Sequence, residues 1–449
     1  MQNTTHVTAP APAIAAMDLA RERDRLLALF AETRTRTESL VEPLSAEDQQ
    51  IQSMPDASPT KWHRAHTTWF FERFVLAPAG VDVVDARYDY LFNSYYETVG
   101  ARHPRPKRGL VSRPSAWEVT DYRRVVDERV ARLLASADGA ELARALPVVE
   151  LGIAHEEQHQ ELLLTDILHA FSESPLRPAY RPEPPPWDGS PAAAPLRFVS
   201  FEGGLREVGA SAANAAHATS GFAFDNERPR HRRWVEPFAL ADRLVTVREL
   251  KAFIDEGGYR TPSLWLSEGF DFVRTHGIAA PLYSEYQDGR LRSFTLSGTR
   301  VARDDEPIVH VSYYEADAIA RFLGARLPTE AEWELATHGA VMNGNLADDR
   351  SPLRPQPAPA SSDPRAVHQL FGDAWEWTQS SYEPYPGYRA PAGALGEYNG
   401  KFMVSQMVLR GGSCLTPKRH VRATYRNFWH PPTRFQIAGI RLARAGAAT

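Results

Sequence analysis

Apolar and polar positions alternate with the period of an α-helix over the first part of the chain. Apolar residues recur at steps of three and four positions, with charged residues between them, in four segments: residues 17–41, 58–76, 113–136 and 142–172. Such steps place the apolar side chains on one face of a helix. The second helix is expected to start at Ser58 and Pro59, because serine is typical of the N-cap and proline of the first turn. We expect the four helices to bury their apolar faces as a four-helix bundle.

The connection between the second and third predicted helices, residues 88–115, has no apolar period of its own. It mixes aromatic, polar and basic residues. Loops of this length without secondary structure are usually functional. We therefore expect this connection to contribute side chains to a site.

The second half of the chain has a different pattern. Residues 176–196 are too rich in proline for a helix and are predicted to be a linker. After this linker, short apolar runs and frequent glycines predict a mixed domain of short strands, with helices near residues 246–258, 312–325 and 329–339. The chain is thus predicted to have four parts: a disordered tail over residues 1–16, the helical bundle over 17–175, the linker over 176–196 and the mixed domain over 197–446.

Composition narrows the classes of function. The formal net charge of the 449 residues is −5, which gives no general attraction for nucleic acid or an anionic membrane. No run approaches the ~18 apolar residues of a transmembrane helix, and the first residues lack the features of a signal peptide. The single cysteine, Cys414, excludes an internal disulfide and a cysteine-rich metal site. We expect a cytoplasmic protein that recognises small molecules locally.

Two histidines four residues apart are the first candidates for metal binding. His155 and His159, in the segment HEEQHQELLLTD, lie on one face of the fourth predicted helix, where both imidazoles can reach one metal ion. The same spacing also occurs in histidines of a polar surface. A zinc protease would use Glu156 as general base and would need a third ligand at a set spacing downstream, which the sequence does not supply. The spacing therefore favours a metal site of another kind.

An upstream ligand fits better. His63 and His66 lie in KWHRAH on the second predicted helix, and neighbouring helices of a bundle commonly build metal sites together. We prefer His66 as the third ligand. His169, ten residues after His159, faces another direction, so we expect it to be structural or exposed. Three imidazoles suit zinc, copper or ferrous iron, and the ligand type alone does not choose among these metals.

Several motifs along the chain together resemble one enzyme family. They are SPTKWHRAHTTWFFE, YLFNSYYETVGARHPRPKRG, HEEQHQELLLTDI, RLPTEAEWE, FGDAWEWTQSSYEPYPGY, LRGGSC and GIRLAR. In this order and spacing they are similar to the hercynine oxygenases, the sulfoxide synthases of ergothioneine biosynthesis, from about Met17 to Arg444. The resemblance implies an α+β multidomain fold, with an N-terminal DinB-like four-helix bundle. The C-terminal domain would be of the formylglycine-generating-enzyme type, which is related to the C-type lectins.

The resemblance also implies a metal and a reaction. In that family three histidines, which match His66, His155 and His159, hold a non-haem Fe(II) ion, and O2 is the co-substrate. The sulfur of a thiol is joined to C2 of the imidazole of hercynine (Nα-trimethylhistidine) and is oxidised to a sulfoxide. The NSYYE segment resembles the branch that uses cysteine, so cysteine is the expected thiol and glutamyl-cysteine is the alternative.

The resemblance assigns further residues to this site. A tyrosine is expected to supply a proton that steers the reaction away from simple thiol oxidation. Tyr95 and Tyr96 are the candidates, and Tyr382 and Tyr385 are weaker alternatives. Substrate contacts are expected from six residues: Gln158, Asn427, Phe428, Trp429, Arg102 and Arg105. The aromatic residues suit a trimethylammonium group, and the arginines suit the carboxylate of the thiol.

Three alternatives remain open. The segment NFWHPP departs from the family, which often has two phenylalanines and a proline where this chain has Phe428, Trp429 and His430. A selenoneine synthase, which joins a selenosugar to hercynine, is therefore the first alternative, and an ovothiol-type 5-histidylcysteine sulfoxide synthase is the second. The third is a non-catalytic, lectin-like binding module. A formylglycine-generating enzyme is excluded, because it needs a pair of cysteines.

Overall fold

The computed structural model describes residues 16–181, 195–211, 221–348 and 351–446. The predicted tail, except residue 16, and most of the predicted linker lie outside these ranges. The N-terminal helices are α1 (Ala16–Val41), α2 (Thr60–Phe71), α3 (Tyr88–Phe92), α4 (Ala116–Ser136) and α5 (Gly139–Glu173). Among the four long helices, α1 packs on α5, and α2 packs on both α4 and α5. The predicted four-helix bundle is confirmed.

The start of α2 differs from the prediction. Thr60 is its first residue, and Pro59 occupies the N-cap position without a side-chain hydrogen bond. The N–H of Ser58 donates to Asp166 on α5 (2.8 Å), and its hydroxyl accepts from Arg108 in the loop before α4 (2.9 Å). The Ser58 hydroxyl is thus engaged in a tertiary contact, although local propensity alone would favour Ser58 as the N-cap of α2. The predicted Ser58 cap is wrong.

A buried ion cluster joins three helices of the bundle. The carboxylate of Glu156 on α5 is fully buried and accepts from Arg34 on α1 (2.8 Å) and Arg123 on α4 (2.9 Å). It also accepts from the hydroxyl of Thr37 (2.6 Å). Burial raises the pKa of this carboxyl, but the two arginines outweigh burial and lower it to about 2. Both carboxylate oxygens are engaged within the bundle, so Glu156 is not available as the general base of a protease.

Replacing Glu156 with glutamine should destabilise the bundle, because two buried guanidinium groups lose a shared counter-ion. We expect the free energy of unfolding at neutral pH to fall by about 3–5 kcal/mol, measured by urea denaturation with circular dichroism. Because the folded-state pKa of Glu156 is depressed, its contribution should be lost as the pH falls from about 4.5 to about 2. The control Glu150→Gln removes a partly exposed ion pair with Arg25 and should cost less than about 1 kcal/mol. Equal losses in the two variants would contradict this assignment.

The second domain is built from short strands and short helices. Its strands are β1 (Phe198–Phe201), β2 (Gly204–Val208), β3 (His231–Val235), β4 (Phe238–Ala241), β5 (Ser284–Gln287), β6 (Arg290–Thr295), β7 (Gly298–Val301), β8 (Trp375–Ser381), β9 (Met407–Arg410), β10 (Asn427–Trp429), β11 (Ala438–Gly439) and β12 (Ala443–Ala445). They form sheets in the orders β1–β4–β12, β10–β9–β8–β11, β2–β3 and β5–β6–β7. In the second of these, β9 pairs antiparallel with β8 and β10, and β11 pairs parallel with β8.

The helices of this domain are α6 (Val247–Asp255), α7 (Ser267–Thr275), α8 (Tyr313–Phe322) and α9 (Glu330–Ala336). Three of them match the predicted helical segments, whereas α7 was not predicted. Caps explain two of the matches, because Ser312 and Thr329 each form a capping box at the start of α8 and α9. Within the described ranges, no helix has the length and apolar composition needed to cross a membrane.

The two domains meet along α5. Three of its polar side chains bind the second domain: Glu157, Gln158 and Glu161. Glu161 accepts from the indole of Trp375 (2.8 Å) and the hydroxyl of Ser413 (2.6 Å). Glu157 pairs with Arg419 (2.6 Å). These bonds fix the orientation of α5 relative to the second domain.

Candidate metal and substrate site

Three histidines of the bundle meet at one point. His66 comes from α2, and His155 and His159 come from successive turns of α5. One ring nitrogen from each lies within 4.8 Å of the others. The Nε2 atoms of His66 and His155 are 3.2 Å apart. The structure therefore brings together the three residues that were predicted to be metal ligands.

The three imidazoles are neutral, which is the form that metals bind. Burial lowers the pKa of His66 and His159 well below the ordinary value, and it lowers that of His155 to about 3. Nδ1 of His66 lies 2.6 Å from the carbonyl oxygen of Phe92, which only accepts, so Nδ1 carries the proton. The lone pair of His66 is then on Nε2, the atom that faces His155.

This donor set fits a transition metal. Two nitrogens bound at about 2.1 Å to one metal, at right angles to each other, are about 3 Å apart, close to the separation of the two Nε2 atoms. Imidazole ligands suit iron, zinc and copper. His155 and His159 also line a cavity, so substrates can reach the same point.

That cavity measures about 340 Å³ and lies between the bundle and the second domain. Residues from α2, α5, the loop before α4 and the second domain line it. The cavity wall includes six of the residues that were predicted to act on the substrates: Tyr95, Arg105, Gln158, Asn427, Phe428 and Trp429. The loop over residues 88–115 thus contributes side chains to the cavity wall.

Two other predicted residues lie outside the cavity wall. Tyr96 is fully buried and packs against Trp69 and Phe74, so its ring belongs to the core. Arg102 is exposed and pairs with Glu97. Neither is among the described residues that line the cavity.

Phe428 is the centre of an aromatic group at the cavity wall. Tyr382 stacks on it with 4.0 Å between ring centroids, and Phe402 lies 6.1 Å away. The hydroxyl of Tyr382 accepts from Asn226 (2.9 Å). Tyr382 and Tyr385 are both buried and do not appear among the described lining residues, so they are poorly placed to donate a proton there.

Two tyrosines that the sequence pattern did not predict are hydrogen-bonded to Gln158. The amide nitrogen of Gln158 donates to the hydroxyl of Tyr425 (2.7 Å), and its amide oxygen accepts from the hydroxyl of Tyr398. The Tyr398 ring lies edge-on to His155, with 5.6 Å between ring centroids. Both tyrosines line the cavity. Tyr398 follows a short 3-10 turn between β8 and β9, where no periodic pattern pointed to it.

Arg108 is a further cavity residue that the sequence pattern did not predict. Its side chain lines the cavity, is 3% exposed, and lies over the ring of Trp62 with 3.4 Å from Cζ to the ring centroid. It donates to the hydroxyls of Ser58 (2.9 Å) and Ser94 (3.1 Å). No carboxylate of the described residues forms a direct ion pair with it, and Asp166 acts on its charge only through space. Burial lowers the pKa of Arg108. A buried guanidinium that forms no direct ion pair attracts an anionic group of a ligand.

Each of the two domains matches a known protein family. Residues 29–163 match the family described as the DinB superfamily, and residues 189–351 and 358–446 match the sulfatase-modifying factor enzyme 1-like domain. These matches confirm the predicted fold class. The formylglycine-generating enzyme of Streptomyces coelicolor is 28% identical over 50% of this chain and 82% of its own length.

Relatives named hercynine oxygenase match over both domains. A protein of Mycolicibacterium thermoresistibile named hercynine oxygenase is 31% identical, over 94% of this chain and 95% of its own length. The protein of the same name from Mycolicibacterium smegmatis is 30% identical, over 94% of this chain and 99% of its own length. The similarity therefore extends over the helical domain, the second domain and the cavity between them.

Proposed function

The chain belongs to the hercynine oxygenase family, and from that premise we propose that it is an Fe(II)- and O2-dependent sulfoxide synthase acting on hercynine and cysteine. The sulfur of cysteine becomes bonded to C2 of the hercynine imidazole. One atom of O2 ends in the sulfoxide and the other leaves as water. The observation that carries this proposal is the cluster of His66, His155 and His159, two of which line a cavity together with aromatic and cationic side chains.

The cavity has a suitable wall for each end of hercynine. Phe428 and Trp429 line the cavity and supply aromatic surface for the trimethylammonium group, which cannot donate hydrogen bonds but is attracted to aromatic rings. Gln158, held by its two tyrosines, offers its amide to the imidazole. Ferrous iron held by the three histidines would supply a binding point for the thiolate sulfur and the electrons that activate O2. Histidine, the substrate of an ovothiol-type synthase, has no quaternary cation to bind the aromatic wall. This wall therefore favours hercynine over histidine.

We place the proton donor at Tyr398. Its hydroxyl contacts Gln158 between the two ligands of α5, and burial raises its pKa, so it keeps its proton at neutral pH. Tyr95 also lines the cavity, with 6.1 Å between its ring centroid and that of Tyr398. Its hydroxyl is the second candidate for the proton donor. Tyr96 packs behind Tyr95 in the core.

Arg108 and Arg105 are the proposed partners of the cysteine carboxylate. Both line the cavity, whereas Arg102 does not. A selenosugar carries no carboxylate and would leave Arg108 without a direct ion-pair partner, so this arginine favours an amino-acid thiol over the selenosugar. Glutamyl-cysteine shares the carboxylate and has to be separated from cysteine by experiment.

Product mass distinguishes these donors. The Fe(II)-loaded protein is incubated in air with hercynine and, in separate reactions, with cysteine, glutamyl-cysteine or a selenosugar. We expect the sulfoxide adduct with cysteine, and no adduct when histidine replaces hercynine. Turnover with the selenosugar alone would identify a selenoneine synthase. No adduct with any donor would favour the binding-module alternative.

Replacing Arg108 with methionine should raise the KM for cysteine by about 10- to 100-fold, because a hydrogen bond to a charged group contributes about 1.5–3 kcal/mol. The rate at saturating cysteine should change much less. Arg102→Met is the matched control and should leave both constants near wild type, since Arg102 pairs with Glu97 outside the cavity. Steady-state kinetics with cysteine varied would show this, and an equal effect of the two substitutions would contradict the assignment.

A further inference from the structure

A fourth histidine lies beside the three proposed ligands and also lines the cavity. His63 is buried on α2, and its Nδ1 lies 2.8 Å from Nδ1 of His159. Its Nε2 lies 3.0 Å from Oδ2 of Asp166, which is also buried and accepts from the N–H of Ser58. We infer that Asp166 and His63 form a relay that positions His159 as a metal ligand, an inference that rests on the proposed metal site.

The protons of this relay have one arrangement that permits metal binding. The Asp166 carboxylate only accepts, so Nε2 of His63 donates to it. Nδ1 of a neutral His63 then accepts, and Nδ1 of His159 donates to it. The lone pair of His159 is left on Nε2, which is the nitrogen available to a metal. If Nδ1 of His63 donated instead, the proton of a neutral His159 would sit on Nε2 and block binding.

Helix geometry brings these groups together. His63 and His66 are three residues apart on α2, and His159 and Asp166 are seven apart on α5, so each pair shares one face of its helix. α2 therefore supplies one ligand and the support of another. α5 supplies a ligand and, two turns later, the carboxylate that ends the relay.

The three ligands are supported in different ways. Nδ1 of His66 faces the neutral carbonyl of Phe92, and Nδ1 of His155 has no hydrogen-bond partner among the described residues. His159 alone, within the described part of the chain, is linked to a carboxylate through a second imidazole. Such backing fixes the ring orientation and raises the basicity of a ligand. His159 is thus the strongest donor of the three.

Two substitutions of His63 test the relay. Phenylalanine removes both hydrogen bonds, whereas glutamine keeps an acceptor for His159 and a donor for Asp166. We expect His63→Phe to weaken Fe(II) binding about 10- to 100-fold, measured without oxygen on the full chain by competition with a chromophoric chelator. His63→Gln should recover most of the affinity. The visible spectrum of the Co(II)-substituted protein should shift in His63→Phe and return toward wild type in His63→Gln.

His169 provides the matched control. It also lies on α5, where its Nδ1 is hydrogen-bonded to the hydroxyl of Ser53 (2.6 Å), so His169→Gln should bind Fe(II) as wild type does. Unchanged affinity in His63→Phe would overturn the relay, and equal losses in the two His63 variants would overturn it in favour of a packing role. His159→Ala separates this inference from the proposed function: if that variant keeps its Fe(II) affinity, the proposed metal site itself fails.

Discussion

The double variant His155→Ala, His159→Ala is expected to hold no stoichiometric Fe(II) and to form no sulfoxide adduct. Two of the three imidazoles are removed, and His66 is left as a single neutral ligand, which is a weak site for a ferrous ion. Binding can be followed by titrating Fe(II) into metal-free protein without oxygen. Activity can be followed by product mass after aerobic incubation with hercynine and cysteine, and should fall to that of free Fe(II).

A second double variant, His169→Ala with His276→Ala, controls for the loss of two histidines. His169 is hydrogen-bonded to Ser53 outside the cluster and His276 is exposed at the end of α7, so both the metal site and the activity should persist. Circular dichroism should show the same helical content in the two double variants. A tight Fe(II) site that survives the removal of His155 and His159 would refute the proposed centre and would leave the lectin-like binding module as the better description.

Tyr398→Phe should have the second largest effect. The substitution removes one hydroxyl and keeps the ring against His155. General acid catalysis by a positioned side chain contributes about 10²- to 10⁴-fold, so sulfoxide formation should slow by about that factor. Cysteine and O2 should still be consumed, because loss of the proton leaves simple thiol oxidation as the competing outcome. The ratio of adduct to oxidised cysteine, measured by mass, reports this change independently of the total rate.

Two other tyrosines test the same assignment. Tyr95→Phe should have a smaller effect on the product ratio, because Tyr95 lines the cavity but the hydroxyl bonded to the Gln158 amide oxygen is that of Tyr398. Tyr96→Phe should keep the wild-type ratio, since this residue packs in the core. If Tyr95→Phe changes the ratio more than Tyr398→Phe does, the proton comes from the NSYYE segment, as the sequence pattern predicts.

Much of the bundle could be predicted because its apolar faces repeat with the helical period. The same period placed His155 and His159 on one face of α5. The choice between His63 and His66 could only be a preference, because both are on one side of α2 and differ by less than one turn. The structure places His66 beside His155 and His63 beside His159. The sequence cannot distinguish these positions, since they depend on the rotation of α2 against α5.

Residues that depend on tertiary contacts were not predictable. Serine is a typical N-cap residue, yet Ser58 is hydrogen-bonded to Asp166 and Arg108 instead. Arg108 sits among several basic residues of one loop, and only its burial over Trp62 distinguishes it from them. Tyr398 reaches the site because the second domain docks on α5, and no local pattern encodes that docking.

The contacts of α5 with the second domain have a consequence for exchanging parts between relatives. Glu161 and Glu157 bind Trp375 and Arg419 from the same helix that carries His155 and His159. A chimaera that joins this N-terminal half to a foreign C-terminal half would have to recreate those partners, or α5 would turn and carry its imidazoles with it. Specificity should therefore transfer between homologues only when the crossover point lies ahead of α5, so that the helix and the C-terminal half are inherited as one block.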